Sequence, residues 1–172
     1  MTGTVRPATA GDVERMQTIG EAAGRRFASV DDPRVAARAN DEPFSPAELQ
    51  RWIDAGRAWV VDDVGGAVGF VVVDVVDANA HVEEISVHPD HEGRGHGGAL
   101  LDAVSEWAGT QAMTAVTLTT FTDVAWNRPY YERRGFLALQ RPEIGPELAT
   151  RVAAEDAAGL PAEIRVCMKR GV

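Results

Sequence analysis

The chain is almost without cysteine and lysine: Cys167 and Lys169 are the sole examples of each among 172 residues. One thiol cannot build a disulfide framework, which fits a reducing cytosol. With no histidine near it in sequence, Cys167 reads as a small core residue rather than a nucleophile. A single lysine outside any glycine loop excludes the G-x-x-x-x-G-K-[ST] loop of nucleoside triphosphatases. Long apolar runs are missing too. No stretch approaches the roughly eighteen residues that a membrane-spanning helix requires, and "MTGTVRPATAGDVERM" has neither the basic nor the apolar region of a secretory signal. The expectation is a soluble, unprocessed, cytoplasmic protein with no membrane partner. Positive charge is also in deficit, with a formal net charge of -9. That argues against a surface made for nucleic-acid phosphates. It is compatible with a cationic acceptor and equally with solubility alone.

What is present is an ordinary complement of core-forming residues. At 45% hydrophobic over 172 residues, the chain suffices for one domain, residues 1–172, with a substantial core. "TVRPAT" reads as a first strand. Asp12 then caps a helix from about 11 to 27, in which Val13, Met16, Ile19 and Ala23 keep a helical period. "ASVDDPRVAARANDEPF" is polar and proline-broken, a loop or short helix. Ser45-Pro46 opens "PAELQRWIDAG", stopped at Gly56. The period then changes to two: "RAWVVDD", a "VGG" turn, "AVGFVVVDVVD", an "AN" turn and "AHVEEISV" predict an antiparallel meander of three strands. A glycine turn leads to a helix from about 95 to 110 and then to the strand "TAVTLTTF". A helix from about 124 to 134, a strand at "FLALQ", the proline-started helix "GPELATRVAAEDAAG" and the strand "EIRVCMKR" complete the chain.

The segment "HPDHEGRGHGGALLDAV" concentrates glycine and histidine ahead of an apolar helix. Gly93, Gly95 and Gly98 spell the dinucleotide pattern G-x-G-x-x-G. In that motif, however, the first glycine directly follows a strand of a parallel βαβ unit, whereas here "HPDHE" intervenes after an antiparallel meander. The four histidines, His81, His88, His91 and His96, suggest a metal. "HEGRGH" nevertheless misses the zinc-protease spacing by one residue, which turns the second imidazole roughly 100° off the shared face. The expectation is no metal and solvated loop histidines. What remains is the helix start. Glycines let the backbone approach an anion closely, and the free N–H groups of residues about 94 to 98 point outward at the positive end of the helix dipole. A pyrophosphate suits such a position.

"EEISVHPDHEGRGHGGALLDAV" resembles the signature of the GNAT superfamily of N-acetyltransferases, in which Q/R-x-x-G-x-G/A binds the pyrophosphate of acetyl-coenzyme A. Arg94, Gly95, His96 and Gly97 match its core. "AWNRPYYERRGF" resembles the family's later asparagine-and-tyrosine block, and "VRPATAGDVERM" a common family opening. The resemblance covers essentially the whole chain. It implies an α/β (α+β) fold with a central mixed, mostly antiparallel sheet of six to seven strands, splayed between the fourth and fifth and flanked by about four to five helices. It also implies acetyl-coenzyme A as cosubstrate, with Glu92, Gly93, Arg94, Gly95, His96, Gly97 and Gly98 around the pyrophosphate. Backbone groups of Ile85, Ser86 and Val87 would hold the pantetheine arm, and Asn127 would contact the coenzyme. The family position held by Gln or Arg carries Glu92 here, a carboxylate expected to turn to solvent while its N–H serves.

By the same resemblance, Tyr131 protonates the coenzyme thiolate, and a carboxylate of the "HVEEISV" strand deprotonates the amine. Glu83 and Glu84 point to opposite faces of a strand, so at most one of them faces the site unless a bulge intervenes. Glu84 is favoured, with Glu83 and His81 as alternates. The acceptor is a primary amine of a small molecule or peptide, bound near Arg25, Arg26, Phe27, Phe44, Trp52 and the "RPEIGPEL" segment with Glu143, although Trp52 also fits a core position. A homodimer is compatible with the family. The alternative function is a catalytically weak acyl-coenzyme A sensor or interaction module.

Overall fold

The computed structural model describes residues 3–172. β1 (Thr4–Pro7) leads through a 3-10 turn into α1 (Val13–Gly24), and a second 3-10 turn extends that helix over Arg25–Ser29. The segment read as a loop or short helix contains α2 (Pro33–Ala36), started by Pro33 and capped by the Asp32 carboxylate, which accepts from the Arg34 N–H at 2.9 Å. α3 (Pro46–Asp54) has the expected cap. The Ser45 hydroxyl accepts from Glu48 N–H at 3.3 Å, and Glu48 in return accepts from Ser45 N–H at 2.8 Å.

The meander follows as β2 (Ala58–Asp63), β3 (Gly66–Val76) and β4 (Asn79–Val87). Its second turn is Asp77-Ala78 rather than "AN". Both residues hold positive φ, 48° and 57°, as a two-residue hairpin matching the strand twist demands, and Asn79 opens β4. The remaining elements are α4 (His96–Thr110), β5 (Ala115–Phe121), α5 (Arg128–Glu132), β6 (Leu137–Ala138), α6 (Pro146–Ala157) and β7 (Arg165–Gly171). α5 is shorter than expected because Val124–Asn127 closes a separate turn, with Asn127 N–H donating to Val124 C=O at 2.9 Å, before Pro129 starts the helix. β6 shrinks to two residues, an economical way to end a sheet at an edge.

Hydrogen bonding orders the strands β1-β2-β3-β4-β5-β7-β6 in one seven-stranded sheet. It is mixed, with β4 and β5 parallel and the β1–β2, β2–β3, β5–β7 and β6–β7 pairs antiparallel. This is the expected α/β class, with six α-helices among the described residues rather than four or five. No helix among them is long and apolar enough to cross a membrane.

The chain forms two compact units. The first runs to Asp74 and includes Val82–Val104; the second comprises Val75–His81 and Ser105–Val172. In the first, Met16 and Ile19 of α1 and Leu49 and Trp52 of α3 pack on Val60, Phe70 and Val72 of the sheet. Trp52 belongs to this core, its indole N–H donating to Asp74 at 2.9 Å and its ring meeting Phe44 edge-on at 4.8 Å. Asp12 does not cap α1 forward. Its carboxylate reaches back to Thr9 N–H at 2.8 Å and takes both guanidinium arms of Arg6 at 2.8 Å, while Arg6 also bonds Asp62 at 2.7 Å. The Arg6 contact holds the Asp12 carboxyl at about 2.

In the second unit, Val76, Leu148 and Cys167 are buried together, with Leu139, Ile144 and Val152 around them. Cys167 is the core residue its isolation suggested. Burial raises its thiol pKa, and its sulfur lies 3.6 Å from the Thr119 hydroxyl. The Asp77 carboxylate accepts from the N–H groups of Glu147 and Leu148 at 3.0 and 2.9 Å, and the Glu147 carboxylate accepts from Asp77 N–H. α6 is thereby capped from the β3–β4 turn. A Cβ on Gly145 would lie 2.3 Å from the Asp77 carboxylate carbon, so the clip requires glycine there.

Candidate active site

The glycine loop joins β4 to α4. A short 3-10 turn over Pro89–His91 sets its entry, and Gly93 and Gly95 carry the chain through it with φ of 73° and 86°, a region closed to most side chains. α4 starts at His96, so the first N–H groups of a fifteen-residue helix lie at the end of the glycine turn. The glycine-to-helix junction anticipated from the pattern is present, and helix N-termini of this kind favour anions.

Two features of the loop differ from expectation. Glu92 does not turn to solvent: its carboxylate is ion-paired with the Arg26 guanidinium, both about a third exposed. The 3-10 extension of α1 therefore reaches across to the loop. Nor are the histidines solvated as a group. His96 and His81 are buried at 1% and 4% exposure, so at the loop surface His96 offers an anion its backbone and not its imidazole. His81 Nδ1 lies 2.9 Å from the Thr117 hydroxyl, a contact between two buried side chains. Arg94 lies on the loop surface, with its guanidinium 3.4 Å from Asp63 Oδ2 and donating to Asp90 C=O at 3.2 Å.

On β4 the two glutamates are distinguished by their surroundings. The Glu84 carboxylate accepts from the Ser86 hydroxyl at 2.8 Å. It also stands against α1 at Gly20, where an added Cβ would come within 3.1 Å of Oε1. Desolvation raises the Glu84 carboxyl pKa, and the Ser86 hydrogen bond opposes the shift only in part. Glu83 is half-buried on the strand. Ile85, Ser86 and Val87 are likewise half-buried, and the Ser86 side chain is committed to Glu84. Gly69 of β3 leaves room for this end of β4, since a Cβ there would approach Ser86 C=O to 3.0 Å.

In the second unit, Tyr131 lies on α5, its ring edge-on to Tyr130 at 5.3 Å and Phe136 at 5.7 Å. Burial raises its phenol pKa above the usual value, and Tyr130 adds to the shift. Tyr131 N–H donates to Asn127 C=O at 3.1 Å, which ties the two candidate residues together through the backbone. The Arg134 guanidinium lies over the Tyr130 ring at 5.3 Å.

The candidates thus fall into two groups. Glu83 to Val87 and Glu92 to Gly98 belong to the first compact unit, and Asn127 and Tyr131 to the second. Of the acceptor candidates, Arg25 pairs with Glu21 at 2.6 Å, Trp52 is core, and Glu143 is turned onto Gln140 N–H at 2.7 Å. Sequence reasoning missed Asp63 beneath the loop and the Arg26 partner of Glu92. Both are contacts between distant segments that no local pattern announces.

A sequence model of the acetyltransferase (GNAT) family matches residues 27–136. The chain belongs to this family. A curated relative, the mycothiol acetyltransferase of Nocardiopsis dassonvillei, is 34% identical over 112 residues, covering 51% of this chain and 34% of that protein. The chain therefore spans about a third of the length of that relative. Among solved structures, a PaiA N-acetyltransferase from Thermoplasma acidophilum in complex with coenzyme A superposes with a TM-score of 0.74 at 10% identity, covering all of both chains. A GCN5-related N-acetyltransferase from Rhodopseudomonas palustris gives 0.68 at 22% identity over 100% of this chain and 97% of that one. At these identities the structures speak for the GNAT fold.

Proposed function

We propose that the protein is an acetyl-coenzyme A-dependent N-acetyltransferase that transfers acetyl to a primary amine of a small molecule or peptide by direct attack in a ternary complex. The observation that carries this reading, beside family membership, is the Glu84 carboxylate. It stands against α1, is raised in pKa by desolvation and is hydrogen-bonded to a neutral hydroxyl.

An alkylammonium of pKa near 10.4 must lose a proton before it can attack a thioester. A carboxylate with a raised pKa holds that proton better than an ordinary one, so Glu84, directly or through water, is the proposed base. The amine nitrogen then bonds to the acetyl carbon, and backbone groups of Ile85 to Val87 are assigned to the pantetheine arm and the developing oxyanion. As the carbon–sulfur bond breaks, the electron pair leaves on sulfur, the Tyr131 hydroxyl gives its proton to the thiolate, and the second proton shed by the nitrogen as the neutral amide forms restores the phenol through water. Its raised pKa keeps Tyr131 a phenol across the range in which the acceptor amine can be deprotonated. The pyrophosphate is assigned to the N–H groups at the start of α4, with Gly93, Gly95, Gly97 and Gly98 giving backbone access, Arg94 the positive charge, and Glu92 and His96 backbone contacts alone. Asn127 is assigned to the coenzyme.

The test is calorimetric titration with acetyl-coenzyme A, followed by thiol-release assays across polyamines, aminoglycosides, amino acids and N-terminal peptides. Saturable binding with turnover on one class supports the enzyme and names its acceptor. Absence of binding overturns the reading.

A further inference from the structure

We infer that Asp63, His91 and His96 form a binding site for a divalent transition-metal ion, with zinc the ion their donors suit best. The three residues come from the end of β2, the 3-10 turn after β4 and the first residue of α4. Their donor atoms all lie within 4.8 Å of one another. His96 Nε2 is 3.3 Å and His91 Nδ1 3.6 Å from the same oxygen, Asp63 Oδ2.

Proximity without alignment distinguishes this cluster from a hydrogen-bonded one. The His96 side chain is fully buried, yet neither of its ring nitrogens makes an aligned hydrogen bond, and neither does the buried Nδ1 of His91. Leaving buried imidazole nitrogens without partners is costly. A tetrahedral zinc ion with bonds of about 2.0 to 2.1 Å holds its donors about 3.3 to 3.4 Å apart, each lone pair aimed at the ion and not at the neighbouring donor. The two nitrogen–oxygen separations are close to that edge length. Two imidazoles and one carboxylate suit zinc in preference to magnesium, and three protein ligands leave a fourth position for water.

One competitor is in place. Arg94 Nη1 lies 3.4 Å from the same Asp63 oxygen, but its side chain is 53% exposed and free to turn outward. An ion at Asp63 would replace Arg94 as the positive partner and release the guanidinium to the loop surface. The sequence spacing hid this arrangement, because the third ligand lies on β2 and not on a helix bearing both histidines.

The experiment is titration of the chelator-treated full chain with zinc chloride, and separately with magnesium chloride, by calorimetry. Cobalt(II) is then added and its visible absorption recorded. One saturable zinc per chain is expected, with no magnesium uptake and cobalt bands of tetrahedral intensity. His91→Gln and Asp63→Asn should each weaken zinc binding at least about tenfold. His91 is partly exposed, so His91→Gln provides the decisive variant if Asp63→Asn fails to fold. No saturable zinc uptake by the wild type, or uptake unchanged by His91→Gln, overturns the proposal. None of these readouts depends on acetyl transfer, so the result stands apart from the proposed enzymatic function.

Discussion

Two carboxylates beside the candidate site are kept in opposite ways. Glu84, on β4, is desolvated and accepts from the neutral Ser86 hydroxyl. Glu92, on the glycine loop, is met by the full charge of Arg26. A group proposed to take up a proton gains from the first arrangement, since burial without a cation raises the pKa. A carboxylate beside a proposed anion site needs the second, because its own charge would otherwise repel the ligand. The substitution of Glu for Gln or Arg in the loop motif is therefore answered in the fold, by a residue 66 positions away.

The sharpest way to break the comparison is to remove the proposed base. Glu84→Gln should lower kcat roughly 10²- to 10⁴-fold while coenzyme affinity stays nearly constant, measured by steady-state thiol release beside calorimetry. In the wild type, kcat/KM should rise with pH as Glu84 ionises, a limb that the variant loses. Stability moves the other way. A carboxyl whose folded pKa is raised stabilises the fold below its unfolded pKa, and that contribution is lost as pH rises through the folded value. Glu84→Gln should therefore raise Tm at pH 7 relative to wild type, with the advantage vanishing near pH 4.

Tyr131→Phe comes next. It should reduce turnover roughly 10- to 100-fold with little change in coenzyme binding, and unchanged turnover would remove Tyr131 from the chemistry. Arg26→Ala sharpens the other side of the comparison. It leaves Glu92 unopposed and should weaken acetyl-coenzyme A by several-fold, about 1 kcal/mol, with Glu92→Gln restoring most of the loss in a double-mutant cycle. Smallest, and remote from both carboxylates, is Asp12→Asn. The depressed pKa of Asp12 marks stability that is present above the ordinary carboxyl pKa of 3.8 and lost as pH falls through about 2. Its removal should cost about 1 kcal/mol in urea denaturation at neutral pH.

Most of the fold was legible because periodicity is local. The meander, the glycine-to-helix junction, the Ser45 cap and the C-terminal strand depend on residues a few positions apart. What escaped was set by long-range contact. Asp12 looked like a forward cap but serves Arg6 and Thr9. His96 looked like a loop residue but is buried at the first position of α4. Glu92 looked solvent-facing but has Arg26. The glycine turn could be read as an anion site from sequence, whereas the choice of Glu84 over His81 gained support only from the Gly20 contact and the Thr117 partner of His81.

The clip between Asp77 and the start of α6 bears on the order in which the chain assembles. α6 carries Gly145 at its N-cap, which offers no side chain of its own, and its first N–H groups are satisfied by a turn about 70 residues earlier. A helix that draws its cap from so far away gains that stabilisation only after the hairpin has formed and the intervening loop has closed. α6 should thus be among the last elements to become protected from amide exchange during refolding, with the β3–β4 hairpin as the template on which it settles.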